Sequence, residues 1–266
     1  MYNLGKSKSK SKSDWFAKLD QINDATRSNY FSVLPEEAEL QHFFNEAFVI
    51  NNPKGRVGGD GYWFFNQGSE AYLALFSCVG EGHLASMMIR IYMEALKKMV
   101  DGYSIDFPGS ILQFLHREVM ARFKSKNNIL LNTNADVGIV KVDLESKQME
   151  FAGANMNLLK VQRSGITIIE GEPQQVGETS EQLTSYPSNT VEYENGTCFY
   201  LVSPGVNKLI GGPDFKKLDI DLLASFFREN RPKAMGEQKQ LTEGYLKDWI
   251  GSNTQNDDVL IIGFKL

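Results

Sequence analysis

The residues with chemical capability fall in five glycine-punctuated stretches. Val57-Gly58-Gly59-Asp60-Gly61-Tyr62-Trp63-Phe64-Phe65 places a carboxylate after two glycines at the head of an aromatic run. Ser77-Cys78-Val79-Gly80-Glu81-Gly82-His83-Leu84-Ala85 is a turn that feeds a long helical pattern. Phe151-Ala152-Gly153-Ala154-Asn155 and Leu201-Val202-Ser203-Pro204-Gly205-Val206 end strand-like runs, and Asn256-Asp257-Asp258 precedes the apolar Val259-Leu260-Ile261-Ile262-Gly263. A carboxylate after glycines can accept backbone N–H groups in a turn, and an Asp-Asp pair can cap a loop before a strand. Carboxylate oxygens are also what hard divalent cations prefer. Other chemistries lack their context. No Ser/His/Asp order comes with a nucleophile elbow. Gly58-Gly59-Asp60-Gly61 lacks the lysine and the strand–loop–helix order of a phosphate-cradling loop.

The elements that must position these residues are readable from periodicity. A basic Lys-Ser tract at 6–13 has no apolar face and reads as a disordered, solvated tail. From Asp14, a plausible N-cap, Trp15, Phe16, Leu19 and Ile22 recur at helical spacing towards Asn29, and a second helical piece runs from Pro35 through Phe44. Ala47–Asn51 reads as a strand. Tyr62–Phe65 and Ala71–Val79 read as a hairpin joined by a polar loop over Asn66–Glu70. Helices are expected over Leu84–Val100 and Pro108–Phe123, with Met87, Met88 and Met93 as core filler. His42 and His116 lie within helices and read as surface or core-edge residues. Strands follow over Asp136–Val142, Gln148–Ala152, Leu158–Arg163, Ile166–Glu170 and Cys198–Val202; then helices over Leu218–Glu229 and Glu237–Ile250, and a strand over Val259–Lys265. Antiparallel hairpins with helices clustered between them indicate an α+β layered sandwich.

Composition narrows the function. The 266 residues carry a net charge of -5, which excludes an electrostatic nucleic-acid binder. Cys78 and Cys198 stand in apolar runs and read as reduced, buried thiols rather than a redox pair. With no apolar leader at the N-terminus and no long apolar stretch, a cytoplasmic protein is expected. Each lysine of the tail would add only about 1 kcal/mol at an anionic bilayer, so membrane contact is not the favoured reading.

Together, in this order, the five stretches resemble the PPM superfamily of metal-dependent serine/threonine phosphatases, and most closely its bacterial SpoIIE-type branch. That branch opens on Gly-Gly-Asp-aromatic after a Leu-Pro segment, here Leu34-Pro35, and closes on Asp-Asp before the last strand. The resemblance covers about residues 30–266. It implies a PPM-type α/β/β/α sandwich, two antiparallel sheets flanked by helices, divided as a 1–13 tail, a 14–45 helical segment and a 46–266 phosphatase domain. It further implies acidic residues that hold two Mg or Mn ions and a bridging water, the nucleophile against phosphorus.

Carried over position by position, the resemblance assigns Asp60 and Asp258 to retained metal positions. Ser77 falls where the family has the aspartate that bridges both metals. Pro204 falls on the aspartate of the Thr-Asp-Gly turn, with Ser203 in place of the threonine. Glu81 is a substitute ligand by position, with Asp136, Asp257 and His83 nearby by analogy; Gly59, Gly61 and Asp257 are assigned to binding, and no residue is assigned as catalytic. The resemblance thus implies a pseudophosphatase holding a single weak ion at most, with a phosphorylated STAS-type regulator as partner. The alternative is a Mg/Mn-dependent phosphatase with an altered site. The helical segment before residue 45 is a candidate for docking on the core or for homodimerisation.

Overall fold

The structure, a computed structural model, describes residues 27–80, 82–124, 133–179 and 185–266. The Lys-Ser tail, most of the Asp14–Asn29 helix and Glu81 lie outside the described residues.

Two five-stranded antiparallel sheets face each other. One has the order β1 (Ala47–Asn52), β12 (Val259–Lys265), β9 (Cys198–Val202), β6 (Leu158–Val161), β7 (Ile166–Ile169). The other has the order β2 (Asp60–Gln67), β3 (Glu70–Cys78), β4 (Ala135–Asp143), β5 (Gln148–Ala154), β8 (Asn189–Thr190). The helices Gly82–Lys97 and Pro108–Lys124 cover the second sheet, and Ile220–Asn230 and Met235–Ile250 cover the first. A two-stranded ribbon, β10 (Ile210–Gly211) with β11 (Lys216–Lys217), leads into the C-terminal helices. The α+β sandwich expected from the sequence is the architecture found.

Side-chain alternation explains why the first sheet reads as unbroken apolar runs. Leu260, Ile262 and Phe264 of β12 enter the core between the sheets, while Val259 and Ile261 enter a second core beneath the C-terminal helices. β1 divides in the same way, Ala47 and Val49 against Phe48 and Ile50. A strand buried on both faces has no polar side to show.

Several element bounds differ from expectation. β2 and β3 run to Gln67 and from Glu70, so the loop expected over Asn66–Glu70 is a tight turn, made possible by Gly68 at φ 62°. The Gly82–Lys97 helix ends before Val100, in a wider turn over Lys98–Gly102. Met88 is buried, but Met87 is 44% exposed and is not core filler. Residues 27–31 are helical, and Tyr30, Leu34, Leu40, Phe43 and Phe44 belong to the inter-sheet core, so this segment packs as part of the sandwich. Both cysteines are buried and unpaired, as expected.

Phe264 is fully buried and stacks on Phe44 at 4.5 Å and Phe199 at 5.3 Å, joining the N-terminal segment to the first sheet. Phe264→Ala is expected to cost about 3–5 kcal/mol, measured as a lower urea midpoint at unchanged slope.

Candidate functional site

At one end of the sandwich three adjacent strands bring a polar row into register. Asp60 of β2 lies opposite Ser77 of β3, and Ser77 lies opposite Asp136 of β4. Residues directly opposed across strands share a face, their Cβ atoms about 5 Å apart. Two carboxylates therefore flank a neutral hydroxyl. Asp60 is 2% exposed and Asp136 8%.

Asp136 is supported by amides: Asn155 Nδ2 donates to its Oδ1 at 2.6 Å and Gln175 Nε2 at 2.9 Å. Asp60 is less well served. Its Oδ2 is buried with no hydrogen-bond partner among the described residues. Its backbone carbonyl accepts from Tyr30 Oη at 2.7 Å, so the N-terminal segment is fastened to the head of β2.

Asp258 arrives from the other sheet, just before β12. Its Oδ1 accepts from the Lys54 N–H at 2.7 Å and its Oδ2 from the Gly59 N–H at 2.6 Å. The glycines ahead of Asp60 allow this, because a Cβ on Gly58 would lie 2.8 Å from the Asp258 carboxyl carbon. The turn holding Pro204 packs against the same loop. Leu260 N–H donates to Ser203 Oγ at 3.0 Å, and a Cβ on Gly205 would lie 1.9 Å from the Asp258 carbonyl oxygen. Asp257 pairs with Lys208 Nζ at 2.7 Å.

The structure thus gathers Asp60, Ser77, Asp136, Ser203, Pro204, Asp257, Asp258 and Gly59 at one end. Gly61 faces elsewhere: a Cβ there would lie 2.6 Å from the Phe76 ring, so packing requires this glycine. His116 Nδ1 accepts from the Gly177 N–H at 3.3 Å, a structural bond. Among the described residues no three His, Cys, Asp or Glu side chains converge as a metal-binding set. Lys208 escapes sequence reasoning because a lysine in a loop looks like any solvated charge. Its only signal is its place three residues beyond Gly205.

Burial dominates the electrostatics. It pushes the Asp60 carboxyl up to about 7, against the Ser203 and Ser77 hydroxyls, which favour the ionised form; Asp258 and Asp257 add to the rise. Burial also raises Asp136, opposed by the Asn155 and Gln175 amides.

Comparison with known proteins agrees with this architecture. The family described as stage II sporulation protein E (SpoIIE) matches residues 68–266. The chain belongs to the SpoIIE family. Among solved structures, the SiaA-PP2C domain of Pseudomonas aeruginosa superposes with a TM-score of 0.84 at 23% identity, over 94% of this chain and 99% of that one. RsbX in complex with magnesium gives 0.57 at 21% identity, over 83% of this chain and 94% of that one. The RsbU and RsbW domains of Rv1364c from Mycobacterium tuberculosis give 0.60 at 18%, over 83% and 60%. At these identities the likeness is one of fold. No curated protein sequence matches the chain. Among the described residues no helix of this SpoIIE-family chain is long and apolar enough to cross a membrane.

The Asp60 carboxyl gives a pH test. In the fold it keeps its proton up to about pH 7, whereas its ordinary value is 3.8, so the fold binds more protons between these values and loses stability as pH rises through that window. Asp60→Asn is neutral throughout. It is expected to match wild type below about pH 4 and to exceed it above about pH 7 by on the order of 2–4 kcal/mol, measured by urea unfolding at both ends.

Proposed function

We propose that this SpoIIE-family chain is a pseudophosphatase, a binding module that engages a protein partner without efficient hydrolysis. One observation carries the reading: neither carboxylate at the positions that the resemblance assigns to metal stands as a free, exposed anion. Asp258 uses both oxygens on backbone N–H groups. Asp60 is buried and holds its proton to about pH 7. Ser77 offers a neutral oxygen, and Pro204 offers no side-chain donor.

A pair of divalent cations needs several anionic oxygens to offset the loss of tightly held water. The donor set here does not fit a binuclear centre, and a single weakly held Mg or Mn ion is the most it supports. What this chain's residues do instead is structural: Asp258 ties the 54–59 loop to the start of β12, and the row from Asp60 to Asp136 lines a closed polar end.

The partner in this proposal is a phosphorylated STAS-type regulator or another signalling protein. Two fold neighbours, one that carries RsbU and RsbW domains together and one described under the bacterial stressosome as a modular system, support a protein partner over a small molecule. A second reading, a Mg/Mn-dependent protein serine/threonine phosphatase with an altered site, is favoured by one observation, the unpartnered buried Oδ2 of Asp60.

Titration calorimetry of Mn²⁺ and Mg²⁺ into chelator-stripped protein, with aryl-phosphate turnover alongside, separates the two. Neither saturable heat nor turnover is expected at millimolar metal. Saturable binding with turnover that disappears in Asp60→Ala would establish the enzyme instead. The double variant Ser77→Asp, Pro204→Asp is expected to gain Mn²⁺ binding; if it stays metal-free, those two positions are not the family's metal positions.

A further inference from the structure

Strand β1 stands at the edge of its sheet. Its register with β12 fixes which main-chain groups face outward. The Lys265 N–H donates to the Glu46 carbonyl at 3.0 Å, so residues 46, 48, 50 and 52 exchange hydrogen bonds with β12. In an antiparallel ladder the residues between them turn their N–H and C=O groups the other way. Ala47, Val49 and Asn51 therefore present the free edge. Gln41 Nε2 covers the first of these, donating to the Ala47 carbonyl at 3.2 Å. Among the described residues no hydrogen bond reaches the main chain of Val49 or Asn51 on that edge, although Val49 is only 7% exposed. Main-chain groups so placed are ordinarily paired.

A groove of about 290 Å³ runs along this stretch, floored by Val49, Ile50, Asn51 and Asn52. Phe31, Leu34 and Tyr62 line one side, and Lys239 and Glu243 of the last helix line the other. The two faces of the strand match these sides. Val49 belongs to the core that holds Leu34 and Tyr62, whereas Ile50 belongs to the core beneath the C-terminal helices. Lys239 is paired with Glu37 at 2.5 Å. Glu243 is exposed and has no ion-pair partner among the described residues.

These features fit one kind of occupant. Two outward-facing residues, with one residue between them, offer the hydrogen-bonding pattern that an added strand completes. Side chains alternate along such a strand. Those opposite Val49 and Asn51 would turn towards Leu34 and Tyr62, and the one opposite Ile50 would turn towards the Glu243 carboxylate. We propose that the β1 edge is a docking groove for an extended peptide of a partner protein, added antiparallel to β1, with a basic residue between two small apolar ones. The groove uses none of the carboxylates of the polar end, so the proposal stands whether or not that end hydrolyses phosphate. The two lie side by side: Tyr30 Oη is 3.4 Å from Asn51 Oδ1 and donates to the Asp60 carbonyl.

The probe is the peptide acetyl-Ser-Val-Lys-Val-Ser-amide, titrated into the ¹⁵N-labelled full chain. Saturable binding is expected with a Kd below about 1 mM, together with shifts and slowed hydrogen exchange at the Val49 and Asn51 amides. Methylating both valine nitrogens of the peptide removes the donors aimed at the Val49 and Asn51 carbonyls, and should weaken binding at least about tenfold. Glu243→Lys, at an exposed position, should weaken binding of the unmodified peptide about three- to fivefold. A peptide with glutamate in place of its lysine should reverse that preference. No saturable binding, equal binding of the methylated peptide, or shifts confined to other residues would overturn the proposal. Unchanged affinity in Glu243→Lys would overturn the assignment of the basic residue. If the Val49 and Asn51 amides are already protected in the free chain, and the chain sediments as a dimer that the peptide does not dissociate, the edge belongs to a second copy and the proposal fails.

Discussion

A carboxylate taken out of water must be neutralised, hydrogen-bonded or protonated, and the polar end of this sandwich uses all three solutions. Asp258 is hydrogen-bonded by two backbone N–H groups contributed by the loop before β2. Asp136 is held by two side-chain amides, and Asp257 is paired with Lys208. Asp60, the deepest, has too few partners and keeps its proton. The serine at position 77 fits this scheme. It sits between Asp60 and Asp136 in register, where a third carboxylate would face the buried Asp60 acid on one side and like charge on the other at cross-strand distance. A neutral hydroxyl lets the row close without a dication to bind it together.

The same end organises the chain around it. Tyr30 reaches from the N-terminal segment to the carbonyl of Asp60, and Tyr62, two residues further along β2, donates back to the carbonyl of Pro35. Lys239 of the last helix pairs with Glu37 at 2.5 Å. Residues 27–44 are thereby joined to both sheets and to the C-terminal helical layer, which makes them part of the architecture around the polar end rather than an appendage to it.

Much of this was legible in the sequence. Long apolar runs such as Val259–Lys265, and helical periodicity over Pro108–Phe123, specify elements because burial constrains nearly every position in them. The carboxylate of Asp60 among its glycines and the Asp257-Asp258 pair before the last strand were equally visible. What was not legible depended on pairing across distance. Two-residue strands such as Asn189–Thr190 and the β10–β11 ribbon have no period to detect. Gly61 looked like part of a binding turn, but the ring it accommodates belongs to the neighbouring strand. Lys208 acquires meaning only when the 203–208 turn meets the 256–258 loop, a relation that no local pattern records. The exposure of Met87 shows the same gap in reverse: apolar spacing marks a helix face without saying where the core ends.

β12 occupies an interior place in its sheet, between β1 and β9, and its register with β1 pairs Ala47 with Phe264 and Asn52 with Val259. Its neighbours are thus made first and wait for it. During synthesis on the ribosome, β1 and β9 are already outside while the strand that separates them is still being assembled or shielded in the exit tunnel. Until residues 259–265 emerge, both strands have an open hydrogen-bonding edge where β12 will later lie, and β1 has no partner in its sheet. The nascent chain therefore passes through an interval of exposed β-edges that a sheet completed in chain order would not have.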